Sequence, residues 1–265
     1  MKKIHLFGCN SYLCRNFSYF IKTQISNIKL IGLDKKELIN PWIDEYINYD
    51  LINYSDELKQ FDNEIIINFA SNTSVELANA FADDSEYIMN NVKIAETIVK
   101  IKPKYGIHIS TTSIIKLSNS YSKSKFKQEE ILKNNLNWHI IRLNNLYGAY
   151  NTHCHPVINP RVLWNVLNEN ITINVVEDYK IIKRNFLPIQ YACEKLYELI
   201  INLKQFDIIN IGGYKCTIYE FIKEYSEKYK IKFNINIIKN RINEDYDYIH
   251  KDDNIISKKM FISYL

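Results

Sequence analysis

No CxxC spacing occurs among the five cysteines of the chain, Cys9, Cys14, Cys154, Cys193 and Cys216. An odd, unspaced set excludes a disulfide framework and reads as reduced thiols in a cytoplasmic protein. No apolar run reaches the ~18–20 residues of a bilayer-crossing helix. Met1-Lys2-Lys3 precedes an apolar stretch, but Ile4 to Cys9 is too short for a signal-peptide core, and Asn10-Ser11 ends it. That stretch reads as a first strand. Neither sign of charge dominates: 34 Lys+Arg face 30 Asp+Glu, a net +4 spread along the chain. So small an excess argues against a dedicated nucleic-acid binder. There are no internal repeats and no low-complexity linker. What is present is ordinary for a folded domain, with 46% hydrophobic and 24% charged residues over 265 positions. That is enough apolar surface for one large domain, or for two lobes around one site. The many Lys, Asn, Ile and Tyr residues look like an AT-rich codon background.

The first half alternates strand-like and helix-like segments. Strands are expected at Lys3–Phe7, Lys29–Leu33, Glu64–Ala70, Gly106–Ser110 and Trp138–Arg142, with Tyr49–Leu51 ambiguous. Helical patterns fall at Tyr12–Thr23, Glu86–Lys100 and Tyr121–Asn134. Glu64–Ala70 reads EIIINFA, a continuous apolar run of the kind buried on both faces of a parallel sheet. The alternation predicts an α/β fold, a Rossmann-type doubly wound parallel sheet with a smaller C-terminal substrate-binding lobe. The composition breaks near Ala149. Residues 1–150 are expected to form the dinucleotide-binding domain, helped by 185–212; residues 151–184 and 213–265 form the lobe. After Gly148 the chain is irregular, with Pro156, Pro160 and a helix at Arg161–Asn168. Then follow a helix at Ile189–Leu203, a strand at Ile208–Ile211, a helix at Thr217–Tyr229 and a strand at Ile231–Ile238.

Gly8-Cys9-Asn10-Ser11-Tyr12-Leu13-Cys14 follows the first strand and opens the first helix. A dinucleotide fold puts its pyrophosphate there, at a positive helix N-terminus. Of the three usual glycines only Gly8 is present, with small Ser11 and Cys14 at the other two places. Asp34 ends the second strand, where a carboxylate binds the adenosine ribose; a solvated loop carboxylate is the other reading. Lys35, Lys36 and Arg15 could tolerate a 2′-phosphate, so NAD is favoured by Asp34 without excluding NADP. Cys14 could be mildly acidified at a helix N-terminus, but a packing role is favoured.

Tyr121-Ser122-Lys123-Ser124-Lys125 places a phenol and an amine one helical turn apart. An ammonium beside a phenol favours the phenolate and makes an acid/base for a hydroxyl or ketone. In a chain with 20 Tyr the spacing alone arises easily by chance. Its context adds weight, because the strand Ile107–Ser110 ends in Thr111-Thr112-Ser113, hydroxyls at the sheet edge where such folds place their chemistry. Thr111 could hydrogen-bond a reacting oxygen; a hydroxyl-rich loop cap is the alternative. Downstream come Arg142-Leu143-Asn144-Asn145-Leu146-Tyr147-Gly148, Arg184-Asn185-Phe186-Leu187-Pro188 and Asn210-Ile211-Gly212-Gly213.

With these motifs in this order, from Lys3 to about Tyr229, the chain resembles the extended short-chain dehydrogenases/reductases that act on nucleotide sugars. The resemblance implies catalytic roles for Thr111, in His108-Ile109-Ser110-Thr111, and for Tyr121 and Lys125, with Thr112 as a fallback beside substrate. It implies that Gly8, Asn10, Ser11, Tyr12, Leu13, Asp34, the pair Asp50-Leu51, Phe69-Ala70-Ser71 and Asn90 line the cofactor, together with Tyr121 and Lys125. Asn145 would face substrate, and Arg184 would grip the nucleotide-sugar diphosphate by charge-assisted bonds. The departures are the two lost glycines, Ile114-Ile115-Lys116 after the hydroxyls, and only ten positions from Thr111 to Tyr121.

In the dehydratase branch an Asp-Glu pair follows the Thr; Thr112 and Ser113 here cannot do that acid/base work. Reduction of a 4-keto nucleotide sugar by NAD(P)H, in deoxysugar or surface-polysaccharide precursor synthesis, is favoured over 4-epimerisation by NAD, since a loosened glycine loop suits an exchanging cofactor. An inactive nucleotide-binding sensor is a third reading. A homodimer paired through Glu86–Lys100 and Tyr121–Asn134 is expected, with no nucleic-acid or membrane partner. His153-Cys154-His155 lacks further ligands at metal spacing and reads as loop or surface, so no metal is expected. Trp42, Trp138 and Trp164 read as packing residues, and Lys239-Asn240-Arg241 as a solvated turn.

Overall fold

Short runs of Ile and Leu fenced by polar turns become the strands of a parallel sheet. The computed structural model describes residues 2–73, 85–117, 119–154, 172–202, 207–230, 232–238 and 256–265. The expected helix Arg161–Asn168 with Pro156, Pro160 and Trp164, together with His155 and Lys239-Asn240-Arg241, lies outside the described residues.

The main sheet has seven strands: β1 (Lys2–Phe7), β2 (Ile28–Asp34), β3 (Glu45–Asn48), β4 (Ile65–Asn68), β5 (Tyr105–Thr111), β6 (Trp138–Leu143) and β10 (Ile208–Ile211). Their order is β10-β6-β5-β4-β1-β2-β3, and every pairing is parallel. This is the doubly wound sheet expected from the sequence. The order reverses between β1 and β4, which opens a crevice beyond their carboxyl ends. Register fixes what shares that edge: Phe7 pairs with Leu33 and with Asn68, Asn68 with His108, and Thr111 with Leu143. Gly8, Asp34, Phe69 and Thr111 therefore emerge at one edge. The edge strand is Glu45–Asn48 rather than Tyr49–Leu51. Its sequence EYIN has little apolar character because a sheet edge is only half covered.

Helix α1 (Tyr12–Gln24) packs on α4 (Ile189–Asn202), and α2 (Ser85–Ile98) packs on α3 (Ser120–Leu132). Both faces of the sheet are thus covered. Trp138 is fully buried and lies over Gly106, where a Cβ would stand 2.5 Å from the indole. Trp42 is half-buried and meets Tyr19 edge-on.

The remainder contains, among the described residues, four strands that no sequence pattern marked and one that falls within the expected strand Ile231–Ile238. β7 (Asn145–Tyr147), β9 (Lys183–Pro188) and β11 (Tyr214–Thr217) form a three-stranded sheet, and β8 (Thr172–Val176) pairs in parallel with β12 (Asn234–Ile238). Helix α5 (Ile218–Tyr229) begins with a capping box between Thr217 and Glu220. Its Phe221 and the Phe261 of α6 (Lys258–Tyr264) close around Tyr147. No helix among the described residues is long and apolar enough to cross a membrane.

Candidate active site

The crevice has a backbone-built side and a side-chain-built side. On the first, Gly8 turns the chain at φ +73°, and a Cβ there would stand 2.6 Å from both N and Cα of Ala70. Only glycine meets both demands. The Gly8 amide donates to Leu33 O at 2.7 Å, and the Ser11 amide to Gly8 O at 3.0 Å. Ser11 then caps α1, accepting from the Cys14 amide at 3.3 Å. Asn10 joins this turn to the next loop. Its amide donates to Asp34 Oδ2 at 3.1 Å, and its side chain donates to Glu37 O at 2.9 Å and accepts from the Ile39 amide at 2.9 Å. Three groups of one Asn thus anchor the loop where two glycines are missing.

Asp34 also accepts from the Lys36 amide at 3.1 Å. Asp50 lies 3.5 Å from Lys35, and Leu51 is buried under the loop. Phe69 is buried, Ala70 donates its amide to Asn68 Oδ1 at 3.1 Å, and Ser71 donates its hydroxyl to Asn91 Oδ1 at 3.2 Å.

Buried contacts bear on three residues of this side. Cys14 is buried and its thiol is pushed well up by desolvation, so it packs and is not acidified. Arg15 turns away from the Lys35-Lys36 loop; its guanidinium is buried and donates to His153 O at 2.6 Å. It therefore has no bearing on a 2′-phosphate. Tyr12 likewise donates its hydroxyl to Gly148 O, and Asn16 donates to Cys154 O and accepts from the Tyr150 amide. These residues of α1 tie residues 148–154 to the sheet domain. Leu13 lies in the core.

On the other side, β5 ends in Thr111, whose Oγ1 accepts from the Ser113 amide at 3.2 Å and lies 2.7 Å from Ser113 Oγ. Thr112 points into the fold. It is buried and accepts from Asn144 Nδ2 at 2.6 Å, while Asn144 Oδ1 accepts from the Gly213 amide at 3.3 Å. The short link to Tyr121 passes through a 3-10 turn at Thr112–Ile115 and a left-handed residue, Leu117, at φ +49°. Asn119 then starts α3 through a reciprocal cap with Ser122.

From α3, Tyr121 is half-buried and close enough to Tyr87 to raise that phenol's pKa beyond the effect of burial. Lys125 is only 2% exposed. Its Nζ donates to Ile109 O at 2.7 Å and lies 3.3 Å from His108 Nε2. Desolvation brings the amine down to about 7, against the pull of Glu129 one turn on. Glu129 is buried in a bidentate pair with Arg142, whose NH2 lies 2.6 Å away, and it also accepts from the Ser110 hydroxyl.

Asn90 is half-buried, and its neighbour Asn91 occupies the interior. Asn91 accepts from the Asn72 amide at 2.7 Å, donates to Ser124 Oγ at 2.8 Å, and offers its carbonyl to Gln128 Nε2 at 2.7 Å. Asn145 and Arg184 lie on the three-stranded sheet. Asn145 pairs with Phe186, two positions along β9 from Arg184, so register puts both on one face. Asn68, Asn91, His108, Gln128 and Asn144 are the polar residues that sequence reasoning missed. A lone His inside the apolar strand IHIS was the one available signal.

No protein-family model matches the chain, and no curated protein matches it. Solved structures do. The dTDP-glucose 4,6-dehydratase of Streptomyces venezuelae, with NAD bound, is 15% identical at TM-score 0.74–0.75, with 93% of this chain and 87% of that chain covered in the better match. The UDP-glucose 4-epimerase of Bifidobacterium longum, in complex with NAD+ and UDP, is 18% identical at TM-score 0.74, covering 92% and 88%. The UDP-glucuronic acid 4-epimerase of Bacillus cereus, in complex with its sugar nucleotide and NAD, is 18% identical at TM-score 0.71, covering 99% and 92%. From the strand order to the edge where its polar residues gather, the chain has the fold of the extended short-chain dehydrogenases/reductases.

Proposed function

We propose that the chain is a cytoplasmic nicotinamide-dependent oxidoreductase that reduces a 4-keto nucleotide sugar. The observation that carries this reading is the gathering at one sheet edge of a glycine cradle with an acidic ribose position, and of Thr111 with a helix bearing Tyr121 and a buried Lys125. The residues fit a dinucleotide: a Cβ at Gly8 would fill the close approach of the turn after β1 to Ala70 after β4, and the capped N-terminus of α1 follows that turn. Gly8, Asn10 and Ser11, with the backbone of Tyr12 and Leu13 in the first turn of α1, would hold the pyrophosphate. Asp34, Asp50 and Leu51 would hold the adenosine end, and Phe69, Ala70, Ser71 and Asn90 would line the crevice between. A bound nicotinamide supplies the hydride.

The chain's own residues supply the rest. Tyr121 gives a proton to the substrate oxygen, Thr111 holds that oxygen through its hydroxyl, and Lys125 stabilises the phenolate that remains. Asn145 orients the sugar and Arg184 binds the diphosphate. Thr112 and Ser113 carry no acid/base for water elimination, which separates this chain from the dehydratase branch. Asp34 favours NADH over NADPH.

A second reading, 4-epimerisation with retained NAD, is favoured by the epimerases among the structural neighbours. A third, a sensor without turnover, leaves Tyr121, Lys125 and Thr111 without use. Dimerisation would pair α2 and α3, which carry the exposed Met89 and Phe126. The test is a screen of 4-keto nucleotide sugars with NADH and NADPH. Loss of reduced-nicotinamide absorbance supports reduction. Interconversion of 4-hydroxyl epimers without net oxidation supports the second reading, and the absence of both reactions refutes both readings.

A further inference from the structure

The hydrogen-bond pattern behind Lys125 has one consistent proton assignment. The Ala70 amide donates to Asn68 Oδ1 at 3.1 Å, which fixes the orientation of that side-chain amide. Asn68 Nδ2 then faces His108 Nδ1 at 2.9 Å and must donate to it. A ring nitrogen that accepts carries no proton, so the proton of neutral His108 is on Nε2. Burial keeps the ring neutral. Gln128 is fully buried, and its Oε1 makes no hydrogen bond within ordinary limits, so Asn68 alone fixes the tautomer. His108 Nε2–H faces Lys125 Nζ at 3.3 Å. An ammonium has three donors and nothing to accept with. A neutral amine has a lone pair for His108, and still donates to Ile109 O at 2.7 Å.

We infer that His108 is a positioning residue for Lys125: held by Asn68, it donates through Nε2–H to Nζ and keeps the resting lysine a neutral amine beside β5. The depressed proton affinity of Lys125 agrees with this. The other groups around Lys125 do not compete for the role. Glu129, on the same helix, is taken by Arg142 of β6 and Ser110 of β5. Tyr121 lies one turn back, with Tyr87 of α2 beyond it. Alongside desolvation, His108 therefore lowers the pH below which Lys125 carries the charge that acidifies Tyr121. That consequence for turnover rests on the proposed function; the proton assignment does not.

The test uses the full chain without cofactor. Long-range 1H–15N spectra of 15N-histidine-labelled protein, from about pH 6 to about pH 9, should show His108 as the neutral Nε2–H tautomer throughout. Carbon-13 labelling at lysine Cε, assigned with Lys125→Met, should show Lys125 titrating near neutrality. In His108→Gln an amide oxygen can accept from an ammonium, so the proton affinity of Lys125 should rise by at least about tenfold. An Nδ1–H tautomer, an imidazolium, or an unmoved Lys125 overturns the inference. If His108→Gln does not fold, the wild-type tautomer alone decides. Where turnover is found, the alkaline limb of kcat should move to higher pH in His108→Gln with KM unchanged, and an unmoved limb overturns the positioning role. Absence of turnover would instead refute the proposed function and leave the tautomer result standing.

Discussion

The two sides of the crevice are built by different means. On the β1–β2 side the contacts come mostly from backbone groups: the Gly8 amide to the Leu33 carbonyl, the Ser11 amide to the Gly8 carbonyl, and the Asn10 amide to the Asp34 carboxylate. On the β5–α3 side they come from buried side chains: Lys125 with His108, Glu129 with Arg142, Asn91 with Ser124. A backbone-built loop tolerates side-chain change wherever conformation permits, which is how it survives with one glycine and an Asn clamp. A side-chain network does not, because each buried polar group that loses its partner keeps its full desolvation cost.

Changes on the side-chain side should therefore have the larger effects. Tyr121→Phe removes the proton donor and should lower kcat by about 10²–10⁴-fold, with NADH affinity within twofold by fluorescence titration. A similar loss of binding would move Tyr121 out of the acid/base role. Arg142→Met leaves the buried Glu129 carboxylate without its counter-charge, with only the Ser110 hydroxyl to bond it, and should cost about 3–5 kcal/mol in urea unfolding. The double change Arg142→Met with Glu129→Met should recover most of that, and failure to recover would mean that the pair is not the unit.

Lys125 gives a pH signature. Its folded pKa of about 7 lies below the ordinary 10.5, so between these values the unfolded chain binds more protons than the folded one. The penalty is complete below pH 7, and stability rises as pH increases from there. Above about pH 9 the buried thiols, of which Cys9 and Cys216 are pushed up to about 12, act in the opposite direction. Urea midpoints between about pH 7 and pH 8.5 should thus rise in the wild type and flatten in Lys125→Met. An equal rise in both would assign the effect elsewhere.

On the backbone side only the residue with special geometry should matter. Gly8→Ala strains a positive φ and drives a Cβ into Ala70, an expected loss of about 2–3 kcal/mol. Ser11→Gly, which restores a lost glycine at the expense of a cap, should change stability by only a few tenths of a kcal/mol. A large effect there would erase the contrast between the two sides.

The same contrast explains what was legible in the sequence. The main sheet announced itself through runs such as EIIINFA, since strands buried on both faces need apolar residues at every position. Asp34 and Thr111 were legible because they stand at strand ends. The strands β7, β9 and β11 were not, because Asn145, Arg184 and Lys215 interrupt any apolar pattern and pairing across the lobe decides them. Arg15 looked like a phosphate ligand by charge alone; its helical phase, facing residues 148–154, was decided by tertiary packing. The buried role of Asn91 was not legible because adjacent Asn residues carry no phase information until the helix is seated. His108 stood in plain view, but its role depends on the partners of Asn68, which no spacing reveals.

The central claim is that this sheet edge holds a nicotinamide dinucleotide for the Tyr121 side to use. Calorimetric titration of the full chain with NADH and with NADPH tests it most directly. One saturable site per chain, tighter for NADH and weakened in Asp34→Ala, is the expected result. No binding of either dinucleotide by the folded wild type would contradict it.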